Sequence, residues 1–285
     1  MGARMDRISI GDGLRAYAEH ELERAARQLG RPGDERHAGV HQGRKAIRRT
    51  RAVLALCAEA LASAPAADRL DRELRGLCRG LSALRDADAL RDGLLQLARD
   101  AVIGPIECER LLASVAARRA ERLAVALRRD PDFARRRERL QRGREALDTL
   151  PWAAVTDTVV ARGHARSLKR VEQARRRAVD SDDPEDWHRL RRRLRRLRQQ
   201  ESALAEVAPG ADWETPGLGE LAERMGLAQD HALLLARCRR HGLFAARDRA
   251  TLRRLVEPLY RSAQEHAVDA LAALGRLQRE AGRST

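Results

Sequence analysis

The amino-acid sequence predicts an all-α protein. Hydrophobic residues make up 43% of the 285 positions and aromatic residues only 2%, so the core must consist of Leu, Ala and Val. Glycine and proline fall mostly between stretches of helical periodicity, and no strand-like alternation interrupts those stretches. A row of cationic side chains at helical spacing occurs twice. We therefore expect a helical chain with an internal repeat.

The breaks between periodic stretches predict nine helices. Five lie near residues 12–29, 34–63, 67–100, 105–129 and 132–149, and four lie near residues 153–179, 184–207, 217–240 and 242–281. The segment 132–149 is interpreted as an added helix that links two bundles of four. Asp34-Glu35 and the stretch from Ser181 to Glu185 offer capping residues and acids suited to helix N-termini. The two helices that follow are expected to start in the same way.

The repeated cationic rows are the main functional signal. The first row is His41, Arg44, Arg48 and Arg51, and the second row is His188, Arg191, Arg195 and Arg198. Corresponding members lie 147 positions apart. The spacing i, i+3, i+7, i+10 places four side chains within an arc of roughly 80°, because each helical residue advances about 100°. Each row could hold an extended polyanion.

A core seam repeats in the same frame as the cationic rows. Its members are Val40, Gly43, Ile47, Thr50, Leu54 and Cys57, then Trp187, Leu190, Leu194, Leu197, Glu201 and Leu204. The rows lie beside this seam, so their arginine stems should be partly covered.

A second repeated element follows each row, and here the shift is 144 positions. It aligns Asp86 with Asp230, whereas Arg85 is replaced by Gln229. A carboxylate on a neighbouring helix could pair with row arginines and fix their side chains, so Arg85, Asp86 and Asp230 are supporting candidates. An ordinary interhelical salt bridge is the other interpretation, and both can hold.

The net charge of +15 and the pI near 11.1 predict an anionic partner. Lys45 and Lys169 are the only lysines, and arginine binds phosphate through a planar fork that lysine lacks. We find no apolar run at the N-terminus and no segment apolar enough to span a membrane, so a cytoplasmic location is expected. The four cysteines show no CxxC pairing and are expected to be reduced packing thiols.

These motifs resemble the CHAD family, the conserved histidine α-helical domain proteins. Residues 40–51 and 186–198 match its basic His-x-x-Arg helix, and the element around Asp86 and Asp230 matches the helix that follows. The resemblance covers nearly the whole chain, with repeats at 1–150 and 151–285. It implies two four-helix bundles related by a pseudo-twofold axis, with a basic groove or pore between them that binds inorganic polyphosphate. The departures at Gln229 and Thr50 imply that the two halves need not bind equally.

The resemblance carries over twelve binding positions. They are His41, Arg44, Lys45, Arg48, Arg49, Arg51, His188, Arg191, Arg192, Arg195, Arg196 and Arg198. We expect His41 and His188 to donate hydrogen bonds to phosphate, although a histidine bonded to nearby protein groups is the alternative. A second row of groove residues is predicted at Arg118, Arg119, Arg122, Arg162, Arg166, Lys169 and Arg170. The arginines of 135–144 are more typical of a solvated surface.

We expect a binding protein rather than an enzyme, without cofactor or metal. Walker loops, nucleophile elbows and metal-ligand spacings are missing from the sequence. Sulfate or phosphate ions could also occupy the groove, and binding could direct the protein to polyphosphate granules. The alternatives are a basic helical protein that binds RNA or DNA and a metal-dependent polyphosphate hydrolase. Few aromatic residues are available for base stacking, which argues against single-stranded nucleic acid.

Overall fold

Ten α-helices account for most of the chain in the computed structural model, which describes residues 9–181, 183–239 and 243–281, with side chains through residue 271. They are α1 (Ile10–Leu29), α2 (Glu35–Leu56), α3 (Pro65–Gly80), α4 (Ser82–Arg99), α5 (Pro105–Arg129), α6 (Ala134–Asp148), α7 (Asp157–Asp180), α8 (Pro184–Val207), α9 (Leu218–Cys238) and α10 (Ala246–Ala281). Short 3₁₀ turns precede α6 and α7. No strand occurs within the described ranges, which confirms the all-α class.

The predicted helix at 67–100 is wrong, because two helices occupy this stretch. α3 ends at Gly80, α4 begins at Ser82, and Leu81 between them has φ −102° and ψ 0°. Leu81 is fully buried, and glycine is a poor helix former. The apolar periodicity continues across residues 80–82, but the helix does not, because the buried Leu81 forms a turn there. The predicted start of the helix at 242–281 and the predicted end of the helix at 217–240 both lie outside the described residues.

The expectation that α2 and α8 start in the same way is also wrong. At α8 the Asp183 carboxylate accepts a hydrogen bond from the Glu185 N–H at 2.9 Å, and Pro184 is the first helical residue. At α2, Asp34 has helical dihedral angles and its side chain makes no capping hydrogen bond. A residue that is itself helical does not direct its carboxylate back at the first N–H groups.

The described chain forms two compact units from alternating segments. Unit 1 contains residues up to 81, then 132–176 and 192–214, and unit 2 contains residues 82–131, 177–191 and 215 onward. α7 and α8 therefore contribute residues to both units. The sequence repeats were predicted to meet between residues 150 and 151. The two units are defined by contacts and not by the repeats, so this boundary stays a prediction.

Unit 1 is organised around the pairing of α1 with α2, with α6 packed on α1 and α3. Gly39 of α2 allows this pairing, because a Cβ there would lie 2.1 Å from the Gln28 carbonyl oxygen. The predicted seam of α2 is buried from Val40 to Cys57. Its polar member Thr50 donates to the Ala18 carbonyl at 3.3 Å. Burial of the seam fixes how α2 presents its cations.

Unit 2 has its own core, formed by α4, α5, α9 and α10. Leu94, Leu111, Leu234 and Leu252 are each fully buried in it. The pairing of α9 with α10 and of α4 with α5 brings these side chains together. None of the described helices is long and apolar enough to cross a bilayer.

Candidate anion-binding site

The first cationic row lies along α2 beside the buried seam. His41, Arg44, Arg48 and Arg51 are all half-buried, and the flanking Lys45 is exposed. Half-burial of the row follows from its position next to the seam, so the stems contact the protein as the sequence predicted. His41 falls in the second turn of the helix.

Neighbouring helices hold three cations of α2 in place. Arg44 donates to the backbone carbonyl of Cys78 near the end of α3. Arg49 donates to Glu21 of α1 at 2.8 Å, and Arg51 donates to both carboxylate oxygens of Asp71 at 2.7 and 3.3 Å. Because a guanidinium carries five N–H donors, one carboxylate partner does not exhaust its capacity to bind an anion. These bonds give the arginines defined orientations before any ligand arrives.

Cations from α1, α2 and α8 converge around Lys45 in unit 1. Partial removal of the Lys45 ammonium from water lowers its pKa, and the positive charges of four arginines lower it further. The four are Arg49, Arg24, Arg48 and Arg198. Arg198 belongs to the second row, so the C-terminal part of that row meets the first row here. Like charges held this close repel each other, and a bound anion would relieve the repulsion.

The pKa shifts of Cys78 and Arg196 also show that cations of α2 and α8 lie close together. Burial raises the pKa of the Cys78 thiol, while Arg44, Arg48, Arg51 and Arg195 oppose that rise through their charges. Burial lowers the pKa of the Arg196 guanidinium to about 10, with further lowering from neighbouring cations and opposition from Asp71. The neighbouring cations are Arg51, Arg193 and Arg170.

We refer to the gathered cations of unit 1 as the α2/α8 cluster. Its members are Arg44, Lys45, Arg48, Arg49, Arg51, Arg195, Arg196 and Arg198. All eight were predicted binding residues. Of the remaining four, Arg192 is exposed on α8 in unit 1, His41 lies on α2, and His188 and Arg191 belong to unit 2.

In unit 2 the second row begins beside a carboxylate. Burial lowers the pKa of the Arg191 guanidinium, with Asp230 opposing the shift and Arg85 adding to it. Burial raises the pKa of the Asp230 carboxyl, against the charges of Arg191 and Arg85. Asp230 is therefore close enough to Arg191 to influence its charge. Asp86 lies 3.7 Å from Arg237 of α9.

Four of the seven predicted second-row residues pair with acids, and in three of these pairs the acid lies on a different segment of the chain. Arg118 lies 2.6 Å from Glu121 and Arg119 lies 2.5 Å from Asp88, whereas Arg122 is exposed. Arg162 and Arg166 of α7 bracket Glu59 at 2.7 and 2.5 Å. Lys169 and Arg170 are exposed on α7, and Arg170 lies near Arg196. Of this group, Arg170 acts on the charge of Arg196 in the α2/α8 cluster.

The arginines of α6 cover the part of that helix that does not pack. Leu140, Gly143 and Leu147 are buried. Arg139 pairs with Glu73 of α3, and Arg142 lies 2.6 Å from Glu138. The other arginines of α6 are Arg135, Arg136, Arg137 and Arg144.

Sequence reasoning missed Arg24, Arg193 and the carboxylates of Glu21 and Asp71. Arg24 adds a cation to the group around Lys45, and Arg193 lies near Arg196. Arg193 stands within the quoted motif, so it could have been included. The other three lie on α1 and α3, and only the packing of those helices against α2 reveals them.

Comparisons with known proteins identify a family and a similar fold. The family model of the CHAD domain matches residues 13–239. The solved structure of PptA from Streptomyces chartreusis is 18% identical to this chain, and the match covers 93% of this chain and 99% of that one with a TM-score of 0.66. At this identity the likeness supports the fold alone. Curated protein sequences yield no match.

Proposed function

The chain belongs to the CHAD family, and from this premise we propose that it binds inorganic polyphosphate through the α2/α8 cluster. The observation that carries the proposal is the packing of α8 on α2 in unit 1, where the Gln200 side chain donates to the Ala52 carbonyl at 3.1 Å. Arg48 and Arg198, one from each predicted row, both act on the charge of Lys45 there. The family resemblance supports polyphosphate as the ligand, and the gathering of these cations supports the α2/α8 cluster as its location.

The electrostatics of the cluster suit a linear polyanion. Polyphosphate carries about one charge per phosphate, so successive phosphates can occupy successive cations. Each neutralised phosphate releases counterions, and the affinity should therefore fall steeply with salt. Repulsion among the cluster cations is present in the unbound protein and is lost on binding. No reading of bases is needed.

The acids at the cluster support binding rather than compete with it. Glu21 accepts a hydrogen bond from Arg49, and Asp71 accepts one from Arg51. We infer that they orient Arg49 and Arg51 while the neighbouring cations supply the net positive charge. Sulfate and orthophosphate would occupy the same positions more weakly, because each neutralises fewer cations.

We further propose that the protein has no catalytic activity toward polyphosphate. The acids nearest the cluster are paired with arginines, which would compete with a divalent metal for the same oxygens. Incubation with polyphosphate and Mg²⁺ should release no orthophosphate. Release above the level of a heat-denatured sample would establish the hydrolase alternative. A cytoplasmic location and association with polyphosphate granules belong to this proposal.

The test compares two pairs of exposed cations in unit 1. Lys45→Ala with Arg198→Ala removes two charges from the cluster, and Arg135→Ala with Arg137→Ala removes two exposed charges from α6. Fluorescence anisotropy with labelled long-chain polyphosphate should show at least a tenfold loss for the first pair and less than about a twofold loss for the second. The slope of log affinity against log salt should fall by about one to two for the first pair only.

Competition between RNA and polyphosphate distinguishes the nucleic-acid alternative from the proposed function. RNA of equal phosphate content should fail to displace polyphosphate at moderate salt. Equal displacement by RNA, or equal losses from both double variants, would reduce the interaction to bulk charge. Far-ultraviolet circular dichroism of each variant checks that helicity is unchanged.

A further inference from the structure

Unit 2 contains a cavity of about 230 Å³ where the start of α8 meets α9 and α10. It is lined by Glu185, Trp187, His188 and Arg191 of α8, by Met225 and Gln229 of α9, and by Tyr260 and Gln264 of α10. Glu185 is the one acid in this lining, and it is exposed. The cavity uses two members of the second cationic row, His188 and Arg191. It is formed entirely within unit 2 and does not involve the α2/α8 cluster.

The walls of the cavity do not suit a bare phosphate chain. Trp187, Met225 and Tyr260 present mainly apolar surface, and among them only the indole N–H and the phenol O–H could donate a hydrogen bond to an anion. Trp187 and Tyr260 are two of only seven aromatic residues in the sequence, and both are half-buried. Two rings at one cavity in so aromatic-poor a chain indicate a ligand with a planar, apolar part.

The cavity contains two kinds of hydrogen-bonding side chain, cationic or imidazole groups and neutral amides. His188 and Arg191 are suited to an anionic oxygen, because both can donate hydrogen bonds and Arg191 carries a positive charge. Gln229 and Gln264 carry side-chain amides that both donate and accept hydrogen bonds. Amides of this kind match the edge of a heteroaromatic ring, which also presents donors and acceptors.

From this arrangement we propose that the unit 2 cavity binds a nucleoside phosphate, with the base between Trp187 and Tyr260 and the phosphates at His188 and Arg191. The cavity is smaller than the roughly 300–1,000 Å³ typical of drug-sized ligands. It therefore accommodates the base, while the sugar and phosphates extend toward the start of α8. This binding goes beyond the proposed function, because polyphosphate contains neither a base nor a sugar.

The test uses the full chain and compares ATP with inorganic tripolyphosphate by isothermal titration calorimetry. Tripolyphosphate carries at least as much negative charge as ATP, so preference for ATP cannot come from electrostatics. We expect ATP to bind at least about tenfold more tightly, an advantage that one stacked base can supply. Ala232→Phe fills the cavity without removing a cation, because Ala232 lines it. Ala236→Phe places the same side chain on an exposed position one turn along α9.

Ala232→Phe should reduce ATP affinity to that of tripolyphosphate, whereas Ala236→Phe should leave the preference unchanged. Equal affinities of the unaltered protein for the two ligands would overturn the inference, as would a preference that survives Ala232→Phe. Binding of long-chain polyphosphate by the unaltered protein is measured alongside. If polyphosphate binds and ATP has no advantage, only the nucleoside phosphate inference fails. If ATP shows its advantage without polyphosphate binding, only the proposed function fails.

Discussion

The Asp71 carboxylate of α3 accepts two hydrogen bonds from the Arg51 guanidinium of α2, one from Nε to Oδ1 at 2.7 Å and one from Nη2 to Oδ2 at 3.3 Å. Arg75, one turn further along α3, adds a third hydrogen bond at 2.9 Å. A paired fork of this kind fixes the plane of the guanidinium as well as its distance. The carboxylate therefore determines how one member of the α2/α8 cluster faces its surroundings.

Replacement of Asp71 by Asn should change the acid stability of the protein. Burial raises the pKa of Asp71, but hydrogen bonds and charges from Arg51 and Arg75 outweigh it, and the net pKa is lowered. A carboxyl with a lowered pKa contributes stability above its unfolded pKa and loses that contribution as pH falls through the folded value. Urea unfolding should show that Asp71→Asn costs about 1–2 kcal/mol at pH 7 and flattens the decline below about pH 4.

The control is Asp68→Asn on the same helix. Asp68 is exposed in the first turn of α3, so its loss should cost no more than a few tenths of a kcal/mol, from the helix dipole. An Asp71→Asn variant that follows the acid profile of the unaltered protein would contradict the role assigned to the Arg51 pair.

Glu21→Gln should destabilise the protein more than any exposed acid does. The Glu21 side chain is almost fully buried and accepts from Arg49 at 2.8 Å and from Arg24 at 3.5 Å. Loss of its charge leaves two guanidinium groups without their counter-ion beside Lys45. We expect a loss of about 2–4 kcal/mol in the free energy of unfolding, measured with urea.

Glu23→Gln is the matched control for Glu21→Gln. Glu23 is half-exposed on the same helix and lies 3.4 Å from Arg27, so the change should cost less than about 0.5 kcal/mol. Salt or polyphosphate should restore part of the stability lost in Glu21→Gln, because both weaken the repulsion between the remaining cations. A Glu21→Gln loss that is insensitive to salt would mean that packing, not charge, is responsible.

The sequence predicted the helical class and most helix positions because apolar periodicity reports burial directly. The seam residues Ile47 and Leu194 are fully buried, as their spacing required. Periodicity could not show the break at Leu81, since a buried leucine fits the pattern whether or not the helix continues through it. It also could not show that Asp34 is helical, because capping depends on backbone angles that composition does not specify.

The cationic rows illustrate the same limit at the site. Spacing along α2 and α8 placed each row on one helical face, and helical geometry alone made that possible. The approach of Arg198 to Lys45 depends on how two helices pack whose residues lie 153 positions apart in the sequence, and no local pattern encodes that packing. Equally, nothing near Glu21 in sequence indicated that it would receive Arg49. The predicted groove or pore and its pseudo-twofold symmetry remain predictions.

Two glycine substitutions should have opposite effects on stability. A Cβ at Gly39 of α2 would lie 2.1 Å from the Gln28 carbonyl oxygen, so Gly39→Ala must separate α1 from α2. The expected loss is about 2–3 kcal/mol in the free energy of unfolding. A Cβ at Gly226 of α9 would meet no atom within 4 Å, so Gly226→Ala should gain about 0.5–1 kcal/mol from helix propensity. Urea titration of both variants measures the difference, and equal signs would refute the close helix approach.

Replacing each of the two lysines tests whether a cation that favours polyphosphate binding also destabilises the folded protein. Partial removal of the Lys45 ammonium from water lowers its pKa, and the charges of nearby arginines lower it further, so its charge opposes folding. Lys45→Met should therefore raise the melting temperature at low ionic strength, by a shift equivalent to a few tenths of a kcal/mol, and the gain should shrink in high salt. Its affinity for polyphosphate should fall, because a cluster cation has been lost. Lys169→Met on α7 removes the other lysine, also exposed, and should change neither quantity appreciably. If Lys45→Met lowers the melting temperature in low salt, the cations around it are not in mutual repulsion and the cluster cannot gain stability from a bound anion.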